Sequence, residues 1–212
     1  MLSIVVLISG AGSNLRSLLE ALRDARAAGS PIEAEVAAIG ADRDDANLAL
    51  GEEFGIPTFV VRPRDFPDRA AWGEALLAEI ERFGPDLTIL SGFMRLVPPG
   101  VVAALSPRLV NTHPAYLPEF PGARAVRDAI EAGVDRTGAS IIVVDDGVDT
   151  GPIIERVRIP VEPGDDEASL HERIKVVERQ LLRRTVERLA EGSLDLAAVP
   201  RLADEPGAAA SA

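Results

Sequence analysis

Leu109-Val110-Asn111-Thr112-His113-Pro114 reads as a buried strand that ends in chemistry. The apolar residues at 109 and 110 close a strand predicted over 108–111, and the chain then delivers an amide and an imidazole two residues apart. Side chains alternate along an extended chain, so Asn111 and His113 point the same way. Pro114 has no N–H to give and stops the ladder. A polar pair at the carboxyl end of a strand is where open α/β sheets bind ligands. A histidine that merely closes a strand end by hydrogen bonding is the plain alternative, and His113 alone does not decide between the two.

Upstream of this stretch the chain alternates strand and helix. Ile4 to Ser9 is a β-branched run suited to a strand buried on both faces. Ser9-Gly10-Ala11-Gly12-Ser13-Asn14 is a glycine turn. The next helix places Leu15, Leu18, Leu19 and Leu22 on one face, with Ser13 or Asn14 as its cap. Strands are predicted over 35–40, 57–61 and 86–90. Helices fall over 46–54, from the Asp68 cap through Trp72, Leu76, Leu77 and Ile80, and over 99–105. Spacing of this kind predicts a doubly wound, mostly parallel sheet. Downstream, Tyr116 to Gly122 is a proline-rich loop, and 127–132 reads as helix. A strand is expected over 139–144, an acidic loop over 145–151, and an antiparallel edge strand over 152–161. A long amphipathic helix over 167–190 presents Leu170, Ile174, Val177, Leu181 and Leu189 on a common face. The organisation expected is one domain over 1–191, with halves 1–111 and 112–191. A tail over 192–212 is expected to be partly flexible, with 207–212 frayed.

With 212 residues, 47% of them hydrophobic, the chain can build a proper core. A net charge of −12 argues against nonspecific nucleic-acid binding. It leaves room for an anionic ligand held by backbone amides at a helix N-terminus. There is no cysteine, and the two histidines lack zinc-ligand spacing, so no metal is expected. The apolar start lacks a basic segment and runs into a glycine turn, so it reads as strand rather than signal peptide. No apolar run reaches membrane-spanning length, and the expected location is cytoplasmic.

The glycine turn offers N–H groups to a phosphate, or is simply a tight turn. It is a poor dinucleotide fingerprint, because Leu15 stands where the third glycine would permit close helix–strand packing. No convincing ribose-binding acid ends the second strand, since Ile39-Gly40-Ala41-Asp42 is followed by more charge. Phe93 and Met94 are either core or the wall of a pocket for a flat ring. Asn111 offers a donor to a developing oxyanion, His113 a proton, and Asp149 a carboxylate to steady an imidazolium. Asp149-Thr150-Gly151 is equally ordinary turn chemistry. With no nucleophile motif, the set suits direct acyl transfer.

Four segments carry a resemblance: Ile8-Ser9-Gly10-x-Gly12-Ser13-Asn14-Leu15, Gly92-Phe93-Met94-Arg95, Asn111-x-His113-Pro114-x-x-Leu117-Pro118-x-Phe120-Pro121-Gly122, and Asp149-x-Gly151-Pro152-Ile153. In this order and spacing, over roughly residues 1–190, the chain resembles the phosphoribosylglycinamide formyltransferases, folate-dependent enzymes of purine synthesis. The resemblance implies a Rossmann-like formyltransferase fold and transfer of the formyl group of 10-formyltetrahydrofolate, a co-substrate, to the amine of phosphoribosylglycinamide. It implies catalytic roles for Asn111, His113 and Asp149. Gly12, Ser13, Asn14, Lys175 and Glu178 would bind the ribonucleotide. Arg69, Met94, Arg95, Leu96, Val97, Asn111, Asp145 and Asp149 would bind the folate. Partners would be small molecules only, with no nucleic acid or membrane, and the protein a monomer or homodimer.

Two positions depart from the family pattern. Arg124 and Ile142 stand where many members carry histidine. The intact Asn111, His113 and Asp149 imply that those histidines are dispensable. His171, on the long helix, reads as a surface residue. The alternative function is formyltetrahydrofolate hydrolysis on the same scaffold, although hydrolases carry a regulatory domain ahead of a first strand that here begins at residue 2. Methionyl-tRNA formyltransferase shares the central loop but adds a C-terminal nucleic-acid-binding domain. A non-catalytic nucleotide-binding module would leave Asn111, His113 and Asp149 without purpose. An NAD-dependent dehydrogenase lacks its third glycine and ribose acid.

Overall fold

A computed structural model of the protein describes residues 1–201. Seven strands and six helices alternate along it: β1 (Leu2–Ile8), α1 (Ser13–Ala27), β2 (Ala34–Ala41), α2 (Ala49–Phe54), β3 (Thr58–Val60), α3 (Arg69–Glu81), β4 (Leu87–Leu90), α4 (Pro99–Leu105), β5 (Leu109–His113), α5 (Ala125–Glu131), β6 (Arg136–Val143), β7 (Ile153–Pro160) and α6 (Glu167–Ala190). The strands form one sheet in the order β3-β2-β1-β4-β5-β6-β7. The first five strands of the chain run parallel. β6 is reversed against both β5 and the edge strand β7.

The sheet has a core on each face, which is why β1 is apolar at every central position. Ile4, Val6 and Ile8 pack with Leu15, Leu19, Ile174 and Leu181 under α1 and α6. Val5 and Leu7 pack with Trp72, Leu76, Val101 and Leu105 under α3 and α4. The indole N–H of Trp72 is satisfied by the Val61 carbonyl, 2.9 Å away. α6 begins at a capping box in which Asp166 accepts from the Ser169 amide and Ser169 accepts from the Asp166 amide. Such a cap stabilises a helix by about 1 kcal/mol.

Several boundaries move for physical reasons. β5 extends to His113 because residues 110–113 pair with β6, His113 opposite Ser140. β6 begins three residues earlier than its apolar run, at Arg136. Gly138 permits this: an added Cβ would lie 2.1 Å from the Val157 carbonyl oxygen across the strand pair. The cap of α1 is neither Ser13 nor Asn14. Gly12, at φ 64, takes the N-cap position with no side-chain cap bond, which releases the Asn14 side chain for another partner. Of the tail, Leu196 packs into the larger core and Asp195 caps a short 3-10 turn. The stretch 207–212 lies outside the described residues.

The order of strands reverses between β1 and β4. The loops leaving their carboxyl ends, Ser9–Gly12 and Ser91–Met94, therefore diverge and open a crevice. The Ser9 amide is tied to the Gly92 carbonyl at 3.2 Å, and the Ser9 hydroxyl accepts from the Met94 amide at 2.8 Å. On the neighbouring side, residues 144–152 fold back so that the Val143 amide meets the Pro152 carbonyl. That return is tight at Gly151, where an ideal Cβ would lie 1.8 Å from the Val143 carbonyl oxygen. The clash is with backbone and cannot be relieved by a rotamer. Gly151→Ala should cost about 1–3 kcal/mol and displace the loop that carries Asp149; calorimetric melting of the variant checks this, and an unchanged Tm would refute it.

Candidate active site

Two cavities open at this end of the sheet. The first, of about 490 Å³, has Asn111 and His113 on its wall, with Asp149 and the 145–149 loop opposite. Period-two alternation along β5 turns Asn111 and His113 toward the same carboxylate. The Asn111 amide donates to Asp149 Oδ1 at 3.2 Å, and His113 Nδ1 lies 3.3 Å from Oδ2. The Gly122 amide donates to Oδ2 at 2.8 Å. Two N–H donors and an imidazole nitrogen thus converge on one carboxylate whose side chain is only 13% exposed. Asp149 sits in the left-handed region at φ 54, a conformation that aspartate tolerates better than most residues and that concentrates at functional sites. His113, 3% exposed, is held from its other side: Nε2 lies 2.9 Å from the Phe120 carbonyl oxygen. A carbonyl and a carboxylate both only accept, so the ring satisfies both neighbours as the imidazolium; in the neutral ring the shorter contact keeps the proton on Nε2 and leaves Nδ1 as the nitrogen facing Asp149 and the cavity.

The remaining wall is a rim of mixed character. Phe93 is buried in the core, whereas Met94 and Leu96 are exposed at the cavity edge, and Val97 lies beneath them. Arg69, the first residue of α3 rather than part of the preceding loop, donates to the Leu96 and Val97 carbonyls at 2.8 and 3.1 Å. Its guanidinium therefore holds the 96–97 backbone in place beside the cavity. Arg95 donates to Asp42 at 2.6 Å. Asp42 is buried at the end of β2, where a dinucleotide-binding fold would present its ribose acid, and here it is spent on Arg95. Ile142 lies on the cavity floor with 2% exposure, so the position is filled by apolar packing.

The second cavity, of about 310 Å³, is the crevice itself. Its walls are the Ser9–Asn14 turn, the 123–126 segment, and Glu167, His171, Lys175 and Glu178 of α6. α1 points its free N-terminal amides here, a geometry suited to an anion. Glu178 is buried, at 4% exposure, and accepts from the Asn14 side-chain amide at 3.3 Å. The other polar atom of that amide, Asn14 Oδ1, is buried without a partner. Lys175 pairs with Glu172 at 2.6 Å, and Arg124 stands 3.8 Å from Asp128. His171 is not a plain surface residue. It is half-buried on the cavity wall, and burial, then the nearby Lys175 charge, lowers its pKa below the ordinary histidine value.

Burial likewise holds the Glu178 carboxyl above the ordinary carboxylate range, against the opposing pull of the Asn14 hydrogen bond and the Lys175 charge. The folded protein therefore binds this proton more tightly than the unfolded chain does. The cost of ionising Glu178 is absent below about pH 4.3, the unfolded value, and is felt in full above the raised folded value. Glu178→Gln keeps an acceptor for Asn14 and removes the charge. Its melting temperature relative to the parent should rise as pH climbs through that window; a difference that stays constant with pH would refute the buried-charge account.

Arg69, Met94, Arg95, Leu96, Val97, Asn111, His113, Asp145 and Asp149 all line the first cavity, and Gly12, Ser13, Asn14, Lys175 and Glu178 all line the second. Gly92, Met94, Thr112, Pro114 and Ala123 line both, so the cavities meet along a seam beside Asn111 and His113. The groups that sequence reasoning passed over are mostly backbone: the Phe120 carbonyl and the Gly122 amide. The left-handed φ of 54 at Phe120 leaves no mark on its residue type. Among the described residues no group of three or more His, Asp or Glu gathers to hold a metal, and no helix is long and apolar enough to cross a membrane.

A formyl transferase family model matches residues 2–186. A phosphoribosylglycinamide formyltransferase of Mycobacterium tuberculosis is 46% identical over 187 residues, 88% of this chain and 84% of that protein. The Escherichia coli protein of the same name is 34% identical over 92% of this chain and 90% of its own length. The crystal structure of glycinamide ribonucleotide transformylase 1 from Symbiobacterium toebii superposes with a TM-score of 0.86 at 38% identity, covering 92% of this chain and 90% of that one. Family likeness from end to end of the sheet, with an amide, an imidazole and a carboxylate gathered where two cavities join, means that this chain belongs to the formyl transferase family.

Proposed function

We propose that the protein transfers the formyl group of 10-formyltetrahydrofolate to the amine of phosphoribosylglycinamide, giving formylglycinamide ribonucleotide. The observation that carries this reading is the seam: two cavities of different character meet beside Asn111, His113 and Asp149. Membership of the family implies a folate-type formyl donor. The first cavity is in the size range of small-molecule sites and offers what a flat conjugated ring needs, an apolar floor with the backbone of 94–97 at its edge. The second offers helix amides for a phosphate. The buried, unpartnered Asn14 oxygen and the Glu178 carboxylate would meet donors on the sugar or amide.

The chain's own groups account for the chemistry. The amine in the second cavity attacks the formyl carbon presented at the seam. A C–N bond forms as the carbonyl oxygen takes up negative charge. Asn111 has one amide hydrogen engaged by Asp149 and a second free for that oxygen. The protonated His113 ring offers Nδ1–H, whose 3.3 Å separation from Asp149 is long enough to be shared with the oxygen as charge develops. Asp149 places its negative charge beside the donating ring and takes part, through water, in moving the amine's proton toward the departing nitrogen of the donor. The donor's C–N bond then breaks, and the formyl group leaves on the amine.

The reported relatives carry the transferase name, and the hydrolase alternative finds no support among them. The deciding experiment follows folate absorbance with 10-formyltetrahydrofolate, with and without phosphoribosylglycinamide. Deformylation that requires the ribonucleotide and yields formylated product is expected. Deformylation at the same rate in its absence would overturn the transfer reading.

A further inference from the structure

The loop between β5 and α5 touches both His113 and Asp149, through the Phe120 carbonyl and the Gly122 amide. What fixes this loop lies outside the cavities, at the edge of the sheet. Tyr116 O accepts from the Glu119 amide at 3.1 Å, closing a turn just before Phe120. Two guanidiniums from β7 stack on the Tyr116 ring, Arg156 at 4.5 Å and Arg158 at 3.9 Å from its centroid. Arg156 also donates to the Leu117 carbonyl, and Arg158 pairs with Glu119. From beneath, the Ser140 hydroxyl of β6 donates to the Ala115 carbonyl at 2.8 Å and accepts from the Leu117 amide at 3.0 Å. Residues 115–119 are therefore gripped on two sides, and Phe120 is the next residue along.

We infer that Tyr116, Arg156 and Arg158 are positioning residues that act on His113 through the Phe120 carbonyl. Side chains alternate along β7, so Arg156 and Arg158 project to the same face and meet one ring. Stacking of a planar guanidinium on an aromatic face is specific in geometry, and lysine does not reproduce it. The clamp holds Phe120 in its left-handed conformation with the carbonyl against Nε2. That contact keeps the proton on Nε2 and makes Nδ1 the working nitrogen, the one that faces Asp149. Released, the carbonyl no longer selects a tautomer, and the ring is free to present either nitrogen to the cavity.

This inference rests on the proposed transfer reaction, and its test separates the two. Tyr116→Ala, Tyr116→Phe and the double variant Arg156→Gln/Arg158→Gln are assayed beside the parent with both substrates. A parent without ribonucleotide-dependent transfer would sink the reaction itself. Given an active parent, Tyr116→Ala should lose about tenfold or more in kcat, as misplacement of a catalytic group does. KM for both substrates should stay within about twofold of the parent, since a misplaced proton donor affects the chemical step rather than binding. Tyr116→Phe keeps the ring and should restore kcat. The double variant leaves the ring and removes both cations; it tests the clamp even where Tyr116→Ala fails to fold. Parent-like kcat in the double variant would overturn the proposal, as would equal losses in Tyr116→Phe and Tyr116→Ala. A readout independent of turnover is the imidazole ¹⁵N spectrum, simple to assign with two histidines in the chain. Neutral His113 should show the Nε2–H tautomer in the parent and a mixture in Tyr116→Ala; an unchanged spectrum would overturn the proposal.

Discussion

His113→Ala lowers kcat on the order of 10²–10³-fold, the usual cost of removing one donor to a developing oxyanion. The expectation follows from what surrounds the ring. One nitrogen is fixed by the Phe120 carbonyl and the other faces both Asp149 and the cavity. No second histidine is at hand to substitute: the other histidine of the chain, His171, lines the other cavity. The loss should appear in kcat, with substrate KM values largely retained, because the ring works on charge that exists only during the reaction. Stability should fall as well. The substitution leaves the Phe120 carbonyl without its donor, at a cost of about 1–3 kcal/mol. Steady-state kinetics on protein shown to be folded by circular dichroism is the check. Turnover near that of the parent would remove His113 from the mechanism.

How far the sequence could be read is clearest from residues that behaved differently from their neighbours. α6 is read to the residue, 167–190, from the face that Leu170, Ile174 and Leu181 keep, and the Asp166–Ser169 capping box fixes its start at that boundary. The start of α1 is misread for the opposite reason. Ser13 and Asn14 are good caps by type, but the backbone places Gly12 at that position, and the Asn14 amide turns to Glu178 across 164 residues of sequence. A contact of that separation has no local signature. The same holds for the burial of Glu178: the resemblance marks it as a ribonucleotide contact, but nothing in its own stretch says that it packs against the first turn of α1. His171, a surface residue by its sequence context, lies one turn of helix from Lys175 on the same cavity wall.

The central site is legible to a different degree. Alternation along β5 is enough to put Asn111 and His113 on one side, and this is local geometry. That Asp149 meets them depends on the 144–152 return, which Gly151 allows through the absence of a side chain. β6 runs antiparallel to β5, so its end lies beside the beginning of β5, and the 144–152 loop carries Asp149 back to Asn111 before the chain enters β7. Direction of pairing is a property of the whole sheet. A run of β-branched residues states that a strand exists and leaves its direction open.

The Asp149 carboxylate invites a sharper test than deletion. Asp149→Asn preserves size and the tolerance for φ 54, whereas alanine at a left-handed position adds about 1 kcal/mol or more of backbone strain. Both carboxylate oxygens accept from N–H groups, Oδ1 from Asn111 and Oδ2 from Gly122, and Oδ2 also faces His113 Nδ1, an N–H once the ring is protonated. A carboxamide has one acceptor and one donor end, so either orientation sets an N–H₂ against an existing donor. If the amide oxygen keeps the Gly122 and His113 side, its nitrogen opposes that of Asn111 and turns this side chain away from the oxyanion position. If it keeps the Asn111 side, its nitrogen faces Nδ1 and favours the neutral ring. Each arrangement disables one donor, and both remove the charge that steadies the imidazolium. The expected loss in kcat is therefore on the order of 10³-fold, between that of a single oxyanion donor and that of the Asp→Asn change in a serine-protease triad. It should also be non-additive with His113→Ala, since the two act as a unit: the double variant should be little worse than the poorer single. Losses that multiply instead would show that Asp149 serves catalysis by a route independent of His113. Parent-like turnover in Asp149→Asn would show that its charge plays no part.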